Sequence, residues 1–197
     1  MKLFWISVSL IGVIFWLDQR WLHDDSLPGE TAPGLPFQQL FAPHTQLPFT
    51  LKGYTLRPQA EFSLRARVLS VAHYQDSPDA DLIPVDLALG WGAMSNPEIL
   101  QHFDISQSER WYRMSAPKAP ISMQTAIQQS ANMHMIPANP ALAERLRALR
   151  EGEVVAIEGW LVDVQGKGPP LHTSLSRSDE GAGACEVVYV ISLARLP

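Results

Sequence analysis

The chain has 197 residues, a formal charge of −5, 46% hydrophobic residues and 18% charged ones. That balance supports a packed core and excludes an intrinsically disordered chain. No Lys/Arg cluster is present, so a nucleic-acid partner, which needs a basic footprint, is not expected. The single cysteine, Cys185, excludes an intramolecular disulfide and a Cys-based structural zinc site.

In chain order, the first feature is "KLFWISVSLIGVIFWLDQRWLHDD", apolar from Leu3 to Leu17. As helix that run spans about 22 Å, short of a hydrocarbon core but with Trp5, Trp16 and Trp21 placed for the interfaces. A cleaved signal peptide has an apolar stretch of this length, but wants small residues after it. Asp18, Gln19, Arg20 and Trp21 follow instead. The expectation is an uncleaved N-terminal membrane anchor over 1–22. Lys2 and the α-amino group before it favour the N-terminus inside, giving a single-pass inner-membrane protein with its C-terminal domain in the periplasm.

Residues 23–58 read as a Pro-rich tether, because Pro and Gly punctuate "DDSLPGETAPGLPFQQLFAPHTQLPF". Phe37, Leu40, Phe41 and Phe49 are more apolar than a free linker needs, so part of it is expected to pack along the domain that follows.

Residues 59–197 read as one mainly β domain with one capped helix. In "AEFSLRARVLSVAHY" (60–74), Phe62, Leu64, Ala66, Val68 and Ser70 alternate with Ser63, Arg65, Arg67 and Leu69, which predicts a half-buried strand. "DLIPVDLALGWG" (81–92) predicts a second strand, at an edge or bulged because Pro84 interrupts it. "SERWYRMS" (108–115) and "ANMHMIPA" (131–138) are a third and a fourth. Asn139 then caps a helix with Pro140 at its first position, a Leu142, Leu146 and Leu149 stripe, and Gly152 at its end. "GEVVAIEGWLVDV" predicts a long strand over 153–164, in which Gly159 marks a bend or a close backbone approach. "ACEVVYVISLARL" (184–196) is the last strand.

This order, strands then a capped helix then two long strands, resembles the OB-fold, a partly open Greek-key barrel. "LREGEVVAIEGWLVDV" is similar to the fourth strand of such domains. The insertion from Ser95 to Ser130 departs from the minimal pattern. "TSLSRSDEGAGACEVVYV" with "NMHMIPA" resembles a family of uncharacterised, membrane-anchored proteobacterial proteins, a likeness that carries no activity with it.

Three groups of residues are candidates for function. Met133-His134-Met135 offers thioether and imidazole ligands suited to Cu(I). A strand, however, sends Met133 and Met135 to one face and His134 to the other, which is also how a core strand with an outward histidine reads. Cys185 is a candidate nucleophile with His134 or His172 as base. Against that, Glu186 beside it disfavours a thiolate, and alternation groups Cys185 with Val187 and Tyr189 as a core thiol. The polar loop "HTSLSRSDEGAGA" (172–184) supplies Ser174, Ser176, Arg177 and Asp179, which together with Trp91, Trp111 and Arg113 make a candidate binding surface. The competing reading there is a solvated hairpin with the Trp residues filling the ends of the barrel.

No nucleophile elbow, phosphate loop, HExxH or EF-hand loop occurs. The sequence therefore reads as a membrane-anchored envelope binding or scaffolding module without catalytic activity, with an envelope protein as partner and no cofactor. The alternatives are a periplasmic Cu(I)-binding protein and a thiol-dependent enzyme at Cys185.

Overall fold

A computed structural model describes residues 28–176 and 184–197. The expected anchor, 1–22, lies outside them. Among the described residues no helix is long and apolar enough to cross a membrane. The strands are β1 (Phe37–Leu40), β2 (Phe49–Leu51), β3 (Tyr54–His73), β4 (Val85–Gly90), β5 (Asp104–Ser108), β6 (Trp111–Ser115), β7 (Ser130–Pro137), β8 (Val154–Gln165) and β9 (Glu186–Leu196). Three short helices join them: α1 (Pro97–Leu100), α2 (Met123–Gln128) and α3 (Pro140–Arg147). The protein is mainly β, as its alternating stretches predict.

The main sheet is organised by β3, whose length lets it pair with four other strands. β1 and β2 pair along its first half and β4 along its second. β4 pairs with β7, β7 runs parallel to β9, β9 pairs with β8, and β8 returns to β3. Phe62, Leu64, Ala66 and Val68 of β3 point into the resulting core, with Val85, Leu87 and Leu89 of β4 and Met133 and Met135 of β7. A bulge between Val68 and Ser70 shifts the register against β4. The extra residue breaks the alternation. Past it Val71 rather than Ser70 faces the core, while Leu69, on the opposite face by ordinary alternation, joins a second apolar layer with Ala88, Met94, Phe103 and Ala126.

The helix between β7 and β8 forms as its caps predict. Asn139 Oδ1 accepts from the Leu142 N–H at 3.0 Å, Pro140 opens the first turn, and Leu142, Leu146 and Leu149 pack on the core. Gly152 adopts a φ of 87°, which a side chain would resist.

Two expectations need correction. β4 is not an edge strand. It begins at Val85, after Pro84, and is paired on both sides with all six residues buried. Pro84 lacks only an N–H, and its carbonyl still accepts from Tyr74 N at 3.0 Å. The 108–115 stretch is not part of the main sheet. β6 pairs only with β5, in a two-stranded sheet belonging to the 95–130 insertion. Ile105, Tyr112 and Met114 then cover the second apolar layer. The stretch read as a tether holds β1, β2 and the first residues of β3. Its aromatics explain this: Phe41 sits edge-on to Trp160, and Phe49 packs on Trp160 and Tyr189. Leu40 remains exposed. Farther upstream, Thr31 and Ala32 both donate backbone N–H groups to Ser95 Oγ at 3.0 Å.

At Gly159 the backbones of β8 and β9 approach closely. The register shifts there, and a Cβ would lie 2.0 Å from the Tyr189 carbonyl oxygen. Gly159→Ala is therefore expected to cost about 2–4 kcal/mol in denaturant unfolding. Gly168→Ala, where a Cβ would meet nothing within 4 Å, is expected to stay within about 0.5 kcal/mol. Equal losses at the two positions would refute the close approach.

Candidate functional site

Strand alternation divides Met133-His134-Met135. Met133 and Met135 are fully buried in the core, while His134 lies on the opposite face among polar groups. The thioethers and the imidazole therefore do not share a face. Among the described residues, no three His, Cys, Asp or Glu side chains are gathered to hold a metal ion.

On that opposite face the register sets His134 of β7 directly across from Asp86 of β4. Asp86 has no solvent exposure. Its Oδ1 lies 3.0 Å from His134 Nδ1 and 2.7 Å from Arg110 Nη1. The His134 contact is close but poorly aligned for a straight hydrogen bond, so its strength is mainly ionic. Arg110 Nη2 also reaches Asp79 at 2.7 Å, Ser77 Oγ at 3.2 Å and the Ile83 carbonyl at 3.0 Å. The guanidinium stacks 3.7 Å above the Tyr74 ring, and the Tyr74 hydroxyl accepts from Arg110 N–H.

Arg110 arrives on the turn between β5 and β6. Ser108 pairs with Trp111, leaving only Glu109 and Arg110 in the loop. Both adopt left-handed φ values, 53° and 67°. A two-residue hairpin loop of this shape ordinarily uses Asn and Gly. Here the anchoring of Arg110 compensates for the strain.

Cys185 comes beside Asn132 because β9 runs parallel to β7, with Glu186 opposite Met133 and Val187 opposite His134. Its Sγ is 3.7 Å from Asn132 Nδ2. Cys185 is half-buried rather than sealed in the core. It precedes β9, on the face opposite Val188 and Val190, which do belong to the core. Burial opposes a charge on His134, but the influence of Asp86 and Cys185 prevails, raising its pKa from 6.5 to about 9. The other candidate base, His172, is far more exposed and lies 3.4 Å from Asp163.

A cavity of about 370 Å³ opens over this face. Trp91, Trp111, Tyr112 and Met114 form much of its wall, with Asn132 and Cys185 at its polar side. Trp91 is 1% exposed, and its indole nitrogen has no hydrogen-bond partner. Trp111 is 46% exposed at the rim. Tyr112 donates to Ser130 Oγ at 3.2 Å; burial raises its pKa, against that bond.

Of the expected binding surface, Trp91, Trp111 and Ser176 meet at this cavity. Ser174 is buried beside it, and its N–H donates to the Cys185 carbonyl at 3.0 Å. Arg113 is directed away, with Nη1 2.6 Å from Ser108 Oγ on the exposed side of the hairpin. Arg177 and Asp179 lie outside the described residues. Sequence reading missed Asp86, Arg110 and Asn132. The available signal was an acidic residue inside an otherwise apolar strand, "VDLALG", which demands a buried cation.

No family model, curated protein or solved structure matches the chain.

Two outcomes follow from the Asp86 cluster. Arg110→Met leaves Asp86 poorly compensated and is expected to cost about 3–5 kcal/mol; adding Asp86→Asn should recover much of that. An additive double mutant would refute the coupling. The raised His134 pKa stabilises the fold fully below the ordinary value of 6.5, and this stabilisation fades as pH rises through about 9. Urea midpoints of the wild type should fall over that range by the equivalent of about 3 kcal/mol. His134→Gln should flatten the profile. An unchanged slope in the variant would rule out His134 as the source.

Proposed function

We propose that this chain is an envelope binding module: an OB-like, partly open Greek-key barrel carried on a membrane anchor over 1–22, with the domain in the periplasm. The order of strand pairings supports the fold reading. Numbered within the main sheet, β3, β4, β7, β8 and β9 are strands one to five. Their pairings run one-two-three-five-four-one, with three and five parallel and a helix between three and four. That order supports an OB-like reading of the sheet. The anchor reading rests on the apolar run from Leu3 to Leu17 and its flanking residues.

The observation that carries the binding reading is the cavity over β4 and β7. OB domains commonly bind through the face of their second and third strands. Here that face bears a cavity of small-ligand size, mainly apolar, with a few convergent polar groups. Trp91 adds a buried indole N–H without a partner, which a ligand's acceptor would satisfy. The ligand is an envelope component that presents an apolar acyl- or aryl-sized group, whether on a protein or on a smaller molecule.

Titration of the full chain with an anilinonaphthalene sulfonate probe tests this. Saturable binding is expected. Trp111→Ala should weaken it about tenfold, while Arg113→Ala, whose side chain points away from the cavity, should leave it unchanged. Equal affinity in Trp111→Ala and wild type would remove the support for this cavity.

A further inference from the structure

The chain ahead of β1 is fastened to the domain as early as Pro28. Asn96 Nδ2 donates to the Pro28 carbonyl at 3.1 Å, and Thr31 Oγ1 donates to the Ser95 carbonyl at 2.9 Å. Gly92 N–H donates to the Ala32 carbonyl at 2.8 Å. Gly29 sits so close that a Cβ there would come within 2.8 Å of Asn96 Nδ2. Pro28 is thus a fixed point at the corner before α1. Only residues 23–27 separate it from the anchor proposed over 1–22, and fully extended they bridge at most about 20 Å. The surface beyond this point is unlike the rest of the chain. From Thr31 to Leu51 there is no Asp, Glu, Lys or Arg, although 18% of the chain is charged. Among the described residues, the three most exposed large apolar side chains all fall within it: Leu47 at 75%, Leu35 at 72% and Leu40 at 61%. Phe41 and Phe49 hold the stretch to the sheet through Trp160, while these leucines stay outside. A single exposed leucine is ordinary, but three in one uncharged stretch mark a contact surface.

We propose that the 31–51 stretch rests on the lipid surface, so that the domain lies against the membrane instead of standing off it. The proposal rests on the reading of 1–22 as an anchor and adds the orientation of the domain to it. A leash of five residues makes the contact effectively intramolecular, so a few leucines suffice where they would not hold a free domain. Leu35, Leu40 and Leu47 enter the headgroup boundary as the apolar side of an interfacial segment does. The missing charges matter as much. Every ionised side chain carried toward the apolar layer opposes insertion. With a formal charge of −5, the chain is also repelled by anionic lipid, least where it carries no carboxylate. The lipid surface is favoured over a second copy of the chain because the leash holds every Pro28 beside the bilayer, whatever the protein concentration.

The test uses the full chain reconstituted into vesicles of phosphatidylethanolamine and phosphatidylglycerol. In a Cys185→Ser background, which removes the single native thiol, a nitroxide is attached to Leu35→Cys, Leu40→Cys, Leu47→Cys or Arg113→Cys in turn. Arg113 lies on the exposed side of the β5–β6 hairpin and serves as the aqueous reference. Collision with oxygen, which concentrates in lipid, is compared with collision with a water-soluble nickel chelate present on both sides. The oxygen-to-nickel ratio is expected to be about fivefold higher at the three leucine positions than at 113. Equal ratios at all four positions would overturn the proposal. So would leucine labels shielded from both reagents, with a dipolar broadening that vanishes on dilution with unlabelled chain, which would assign the face to a second copy. A measurement on the wild type guards against a background variant that fails to fold. A photoactivated carbene reagent dissolved in the lipid should label peptides covering 31–51, and their absence among the labelled peptides outside 1–27 would also overturn the proposal. Flotation separates the two readings. A chain that does not float with the vesicles removes the anchor and this orientation together, whereas one that floats with aqueous leucine labels removes the orientation alone.

Discussion

A carboxylate without solvent exposure must be neutralised, and Asp86 imposes that demand at the centre of the molecule. Two cationic groups meet it from different directions. His134 comes from the neighbouring strand, and Arg110 from a hairpin inserted far along the chain. Much of the outer face of the sheet follows from this. The β5–β6 hairpin is seated where Arg110 can reach, so it covers β4 and β7 at that end. The space left beside it, between the hairpin, Trp91 and the start of β9, is the cavity. One buried charge therefore ties together the fold's insertion and its candidate site.

How much of this the sequence shows depends on the range of the interactions involved. The α3 helix was legible because Asn139, Pro140, the leucine stripe and Gly152 act within a dozen residues. Gly159 was legible because a glycine in mid-strand has few other causes. The inward Met133 and Met135 followed from period-two alternation. Long-range facts were less accessible. Nothing near residue 110 says that its guanidinium will find Asp86, 24 positions earlier. β6 has the composition of any strand, and its exclusion from the main sheet is decided by the turn at Glu109 and Arg110. Cys185 was grouped with a buried core because alternation reports a face, not which face is inside. On β9 both faces carry apolar residues: Val188 and Val190 enter one cluster and Val187 another.

The same two-sided covering explains β4. A strand with solvent on one face alternates polar and apolar residues. β4 has the core on one side and the hairpin layer on the other, so "VDLALG" is almost uniformly apolar. The aspartate is then conspicuous as the one charged position in a strand that is otherwise fully covered. An outward histidine on a strand of this kind is ordinarily wet. His134 is outward from the core, yet it is dry, because a second layer lies above it.

The left-handed turn at Glu109 and Arg110 gives the hairpin an unusual mechanical character. Its backbone strain is offset by one guanidinium that grips Asp86, Asp79, Ser77 and the Ile83 carbonyl. Those contacts are made by a single side chain, so they are formed or lost together. Loosening the turn would release the stored strain at the same moment that it exposed the Asp86 charge to water.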